Sequence, residues 1–172
     1  MRLLFLICFI TSFFSFSKDF VISKNGIKIK LKSQKITNVQ RKFFGADLWF
    51  VGKKIGKLRN VMSVLYNSKS AQINKKIEKN DIQFYKKEMR AFANIKGYEN
   101  VKFEKTSKVK VHQNLSFYQL GWSYRKNNIT FKETSFYTQC SNVFFIAKAT
   151  TIGESTLDNK SFKEIIRSAS CE

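Results

Sequence analysis

Residues 115–151 read LSFYQLGWSYRKNNITFKETSFYTQCSNVFFIAKATT. Three runs rich in aromatic and β-branched residues, at about 115–124, 129–139 and 143–151, are divided by Asn127-Asn128 and Ser141-Asn142. Asparagine tolerates the positive φ of two-residue hairpin turns, so the runs are predicted to be strands joined into an antiparallel meander. A further candidate strand at about 101–112 leads into it.

On either side of the meander the period changes. In 75–98, Ile82, Tyr85, Met89 and Phe92 recur at helical spacing, Lys76, Lys79, Lys86, Lys87 and Arg90 cover much of the remaining surface, and Gly97 supplies a stop. This is the principal amphipathic helix. In 159–170, Phe162, Ile165, Ile166 and Ala169 share one side and Lys163, Glu164 and Arg167 the other, which predicts a short last helix. Toward the N-terminus, 20–23 and 27–31 alternate around Asn25-Gly26, a hairpin signal; Ile27, Ile29 and Leu31 face inward, and Lys28, Lys30 and Lys32 face water. A second pair, 43–51 and 58–66, flanks Gly52-Lys53-Lys54-Ile55-Gly56. The expected fold class is α+β, one antiparallel domain over 18–172 in the order paired strands, helix, four strands, helix.

That order resembles the PsbP-like α/β/α sandwich, a fold carried by bacterial envelope proteins. The resemblance is carried best by Ser135-Phe136-Tyr137-Thr138-Gln139-Cys140, the run 143–150, and Phe162-Lys163-Glu164-Ile165-Ile166-Arg167-Ser168. It implies a non-enzymatic module that binds or stabilises another envelope component. It transfers no catalytic residue, because the family has no shared active-site signature.

Residues 1–17 open with Met1-Arg2, continue as the apolar run Leu3 to Phe14, and end Ser15-Phe16-Ser17 before the charged Lys18-Asp19. This is the layout of a cleavable secretory signal peptide, with cleavage expected after Ser17. The apolar run is shorter than the roughly 20 residues that a bilayer-spanning helix needs. Cys8 sits mid-run behind the bulky Ile7, the wrong place for a lipidation cysteine. The mature chain is therefore expected to be periplasmic or secreted, with no integral membrane segment.

Lys and Arg number 32 against 12 Asp and Glu, a net charge of +20, and Arg2 is the only charge lost with residues 1–17. An exported protein this basic is drawn to anionic lipid, acidic polysaccharide or an acidic partner, and salt weakens the attraction. The abundance of Lys, Asn, Ile, Phe and Tyr, with scarce Arg and no Pro, is also what an AT-rich genome imposes on any surface. Nucleic acid is not expected as a partner. Export opposes it, and the five arginines left after residue 17, Arg41, Arg59, Arg90, Arg125 and Arg167, are scattered. The candidate interaction surface is Lys28, Lys30, Lys32, Lys76, Lys79, Lys86, Lys87 and Arg90.

Cys140 and Cys171 are the cysteines left after residue 17. In an exported chain they are most simply read as one disulfide pinning the C-terminal helix onto the sheet. A redox-active pair is the alternative, though such pairs usually lie close in sequence. The single histidine, His112, stands beside Gln113 and Asn114, with no Gly-x-Ser-x-Gly elbow and no metal-ligand spacing around it. Glu78 and Asp81 near the start of the principal helix favour its dipole, and Glu154 and Asp158 fall in the loop expected before the last helix. No cofactor or catalytic residue is predicted.

Trp49-Phe50 and Phe117-Tyr118 are adjacent aromatics in strands, so the members of each pair must point to opposite faces. Helices on both faces would make all these rings core; a bare face would leave an aromatic patch. The second helix favours core. The favoured function is an exported accessory or binding protein whose basic surface engages an anionic envelope component. A periplasmic carrier holding a small apolar ligand between sheet and main helix is the alternative, and an exported hydrolase the third.

Overall fold

The computed structural model describes residues 17–36, 38–67, 79–111, 115–141, 143–153 and 156–172. Residues 1–16 of the predicted signal peptide lie outside these, as do Lys76, Glu78, His112 and Glu154. In chain order the elements are β1 (Lys18–Lys24), β2 (Ile27–Ser33), β3 (Val39–Phe43), β4 (Ala46–Ile55), β5 (Leu58–Asn67) and α1 (Lys79–Ile95). There follow β6 (Glu99–Phe103), β7 (Ser107–Lys110), β8 (Ser116–Lys126), β9 (Ile129–Cys140), β10 (Val143–Ile152), α2 (Thr156–Arg167) and β11 (Ser170–Cys171).

The predicted meander is β8, β9 and β10, antiparallel throughout, with Tyr118 opposite Tyr137 and Phe145 opposite Thr138. Asn127 and Asn128 hold φ of 48° and 63°, the turn geometry that matches the right-handed twist of the strands it joins. β10 continues onto β5, so the large sheet runs β3-β4-β5-β10-β9-β8-β6, with β7 also paired to β8. The N-terminal hairpin stands apart: β1 and β2 form a three-stranded sheet with β11.

Alternation gives the large sheet two apolar faces. On one, Phe50, Met62, Phe136 and Phe145 are buried with Ile29 and Leu31 of β2 and with Phe162, Ile165 and Ile166 of α2. Each of those α2 side chains contributes about 2 kcal/mol by leaving water, which holds in place a helix too short to be stable alone. On the other face Trp122 and Tyr124 pack with Ala93 and Met89 of α1 and with Phe103 and Phe131. The layers are thus α1, the large sheet, and a third layer shared by α2 and the small sheet.

The structure corrects the sequence reading at several elements. Among the described residues the principal helix spans Lys79–Ile95, not 75–98. It closes with Tyr98 N–H donating to Ala93 C=O and Gly97 at φ 64°, a left-handed position that glycine takes without steric cost. Its inward face carries Ala93 where Phe92 was expected; Phe92 is 41% exposed at the edge of that face, because both positions satisfy helical spacing and the smaller one lets the helix lie close to Trp122. The predicted strand 43–51 is instead the end of β3, a Phe44-Gly45 turn and the first part of β4. Gly52-Lys53 is a bulge inside the β4–β5 pairing rather than the start of a turn. The predicted strand 101–112 divides into β6 and β7, both on β8. The last helix starts at Thr156 rather than 159 and is followed by β11, which no period announced.

Candidate functional site

The predicted basic residues do not form one surface. Lys28, Lys30 and Lys32 alternate along β2 with the buried Ile29 and Leu31 and so lie on the outer side of the small sheet, where Lys30 pairs with Asp19 at 3.2 Å. Lys86 and Arg90 belong to α1, their charges 6.0 Å and 5.4 Å from the Phe103 ring centroid, and Lys87 is exposed beside them. The small sheet and α1 cover opposite faces of the large sheet, which separates the two groups by the thickness of the sandwich. Lys76 and the side chain of Lys79 lie outside the described residues.

Cys140, at the end of β9, and Cys171, in β11, are paired as a disulfide with Cα atoms 5.7 Å apart. The bond does not act on α2 alone. β11 is hydrogen-bonded to β2, with Cys171 opposite Ile29, so the bridge joins the small sheet to the large one.

Buried polar side chains collect in two places. Under α1, Glu133 accepts from Trp122 Nε1–H at 3.2 Å and from Tyr124 O–H at 3.1 Å, and Lys148 Nζ lies 2.5 Å from its Oε2. Burial pushes the Tyr124 and Tyr85 phenols well above their ordinary range, with the neighbouring Glu133 charge adding to the shift. These phenols therefore stay protonated at neutral pH, where Tyr124 donates its hydrogen bond to Glu133. Beside α2, Asp158 Oδ2 accepts from Lys53 N–H at 2.8 Å and from Asn60 Nδ2 at 2.6 Å, while Asn60 Oδ1 accepts from Ile152 N–H at 2.8 Å. This cluster seats the bulge of β4 against the start of α2. Among the described residues no group of His, Cys, Asp and Glu is placed to hold a metal.

Between the large sheet and the main helix, where the carrier reading places a small ligand, Trp122, Tyr124 and Ala93 are packed together. A cleft of about 390 Å³ lies between β2 and α2, lined by Lys32, Lys35, Ser161, Glu164, Arg167 and Ser168 among others. Its walls come mostly from polar and charged residues, with Ile165 and the apolar stems of the lysines among them.

The aromatic residues divide in a way that the sequence reading did not foresee. Trp122 and Phe50 are core, but Trp49 is only half-buried and meets Phe43 and Phe44 at ring-centroid distances of 5.8 Å and 6.3 Å. Phe44 is 84% exposed at the tip of the β3–β4 hairpin. On the same side of the large sheet, α1 turns Phe84 and Ile95 outward.

Asp47 anchors this tip. It accepts from Tyr66 N–H at 2.8 Å and from Lys42 Nζ at 2.5 Å, and Lys24 Nζ of the neighbouring hairpin lies at 3.4 Å. Burial by itself would raise the Asp47 carboxyl, but the hydrogen bonds from Lys42 and Tyr66 and the charges of Lys24 and Lys42 outweigh it and hold the group below the ordinary aspartate value of 3.8. A carboxyl depressed by folding stabilises the native state above its unfolded pKa, and that stabilisation is lost as pH falls through the folded value. Urea midpoints measured from pH 5 down to pH 2 should therefore fall less steeply in Asp47→Asn than in the parent chain.

No protein-family model matches the sequence, and no curated protein does. Solved structures similar in fold include CyanoP, the cyanobacterial PsbP of Synechocystis, 10% identical with a TM-score of 0.56, the match covering 92% of this chain and 94% of that one. They include also LpqN of Mycobacterium tuberculosis, described as involved in cell envelope biogenesis, 12% identical with a TM-score of 0.51 and covering 90% and 91%. The fold is the PsbP-like arrangement of an antiparallel sheet between helices that the order of elements implied.

Proposed function

We propose that this chain is an exported, non-enzymatic accessory protein of the bacterial cell envelope whose cationic surface engages an anionic partner. The observation that carries the reading is the charge. Twelve carboxylates cannot neutralise 32 cations, and the excess is displayed on both outer layers, on β2 and on α1. Such a distribution favours attraction to an extended anionic surface over recognition in a single pocket. Export is supported by the signal-like residues 1–17 and by a cysteine pair placed for a disulfide, which persists in oxidising compartments. LpqN, of the same fold, is described as involved in cell envelope biogenesis, which agrees with this setting. No helix among the described residues is long and apolar enough to cross a membrane.

The test is recovery of envelope material on the immobilised protein at low and then high salt. Anionic material should be retained at low salt and released as ionic strength rises. The triple variant Lys28→Glu, Lys30→Glu, Lys32→Glu should cut retention several-fold while leaving the unfolding midpoint nearly unchanged, since these side chains sit on the outer side of the small sheet. Retention indifferent to both salt and charge reversal would overturn the proposal.

A further inference from the structure

The β3–β4 hairpin violates local preference in two ways at once. Phe43 pairs with Ala46, leaving Phe44 and Gly45 as a two-residue turn with φ of 45° and 76°. Both positions are left-handed, a conformation that glycine and asparagine accept and a bulky aromatic residue resists. Two other hairpin turns of this protein obey the preference: Asn25-Gly26 and Asn127-Asn128 are built from residues suited to positive φ. Phe44 in addition leaves most of its ring in water, with aromatic neighbours in Phe43 at 4.4 Å and Trp49 at 6.3 Å. An asparagine would relieve both costs. Strain together with an exposed ring, unrewarded within the fold, is the signature of a position kept for contact with something else.

The surroundings point to what that is. Arg41 donates to Val21 C=O at 3.3 Å, and Asp47 holds Lys24 and Lys42, so the β1–β2 and β3–β4 hairpins are bound together at this end. Two cations, Lys24 and Lys42, thus stand around one carboxylate, a third, Arg41, ties the two hairpins together, and Phe43, Phe44 and Trp49 belong to the same β3–β4 hairpin. The aromatic group stands at the tip of a two-residue hairpin turn, with Phe44 projecting into solvent. Rings projecting from a cationic surface suit the boundary between headgroups and acyl chains of a bilayer, where cations meet anionic lipid and the rings leave water.

We infer that the Phe43-Phe44 tip, with Trp49 behind it, is a membrane-docking element that inserts into the headgroup region of bilayers containing anionic lipid. The inference rests on the proposed engagement of an anionic partner and specifies it.

The full exported chain is mixed with vesicles of phosphatidylglycerol and phosphatidylcholine, and with phosphatidylcholine alone. Trp122 is buried in the core, so a blue shift of tryptophan emission, and quenching by brominated acyl chains, report Trp49. The parent chain should bind the anionic vesicles with both signals. Phe44→Asn, which eases the turn and so cannot fail through misfolding at that position, should weaken binding about tenfold and abolish the quenching, leaving salt-sensitive adsorption. Adsorption without quenching, equal in parent and Phe44→Asn, would overturn insertion while leaving the charge reading intact. Absence of binding to anionic vesicles at low salt would overturn the inference, and retention of salt-released envelope material in the pulldown would then show that the broader reading survives it.

Discussion

Cys171→Ala should lower the thermal unfolding midpoint by roughly 10 °C, as should reduction of the parent protein under non-denaturing conditions. The bond closes a loop with a sequence separation of 31. On the chain-entropy account such closure contributes about 3 to 4 kcal/mol, and in a domain of this size each kcal/mol moves the midpoint by about 2 to 4 °C. The structure adds where the loss should be felt. Because β11 is paired to β2, opening the bridge frees the small sheet as well as the C-terminus. Hydrogen exchange in the reduced protein should therefore accelerate first in β1, β2 and β11, while β8, β9 and β10 keep their protection. Intact mass should differ by two protons between reduced and non-reduced samples. Free thiols at both positions in protein isolated without reductant, or a midpoint unmoved by reduction, would show that the bridge is not part of its stability.

Asp158→Ala should cost about 3 kcal/mol, read as a shift in the urea midpoint with the slope unchanged. The Asp158 carboxylate is nearly buried, and one of its oxygens accepts from both the Lys53 backbone and the Asn60 side chain. Hydrogen bonds to a charged acceptor are worth about 1.5 to 3 kcal/mol each, and truncation leaves the Lys53 and Asn60 donors without this acceptor. Asp158→Asn keeps one oxygen in place but loses the charge, so it should recover about half the loss. Gly52 belongs to the same device. A Cβ there would lie 2.9 Å from Asp158 Oδ2 and 3.3 Å from the Asn60 carbonyl, so Gly52→Ala should destabilise by about 1 to 3 kcal/mol through overpacking. The two substitutions should be less than additive, because removing the carboxylate removes much of the clash. Additive losses would mean that the bulge of β4 and the start of α2 are seated independently.

Much of this architecture is legible without coordinates, for local reasons. Asn25-Gly26 and Asn127-Asn128 turn where they should because positive φ is a property of the residue. β8, β9 and β10 show themselves by alternation, and α2 by the spacing of Phe162, Ile165 and Ile166, since a face that must be buried imprints its period. β3 was missed because VQRKF lies at the sheet edge with most positions exposed, where burial imposes no period. The two-residue β11 exists only through β2, a partner 140 residues away in the chain.

The candidate site divides along the same line. That this protein is strongly cationic follows from composition alone, and the signal-like layout of residues 1–17, which holds Cys8, singles out Cys140 and Cys171 as the pair to be expected. That the lysines of β2 and the cations of α1 face away from each other is decided by which face of the large sheet each layer covers, a long-range matter. The same holds for the tryptophans. Trp122 and Trp49 both stand in strands that carry other aromatic residues, yet α1 packs over one, while the other shares a half-exposed cluster with a strained Phe44. Strand alternation tells which rings share a face, but whether a layer covers that face depends on packing between distant segments, which no local pattern encodes.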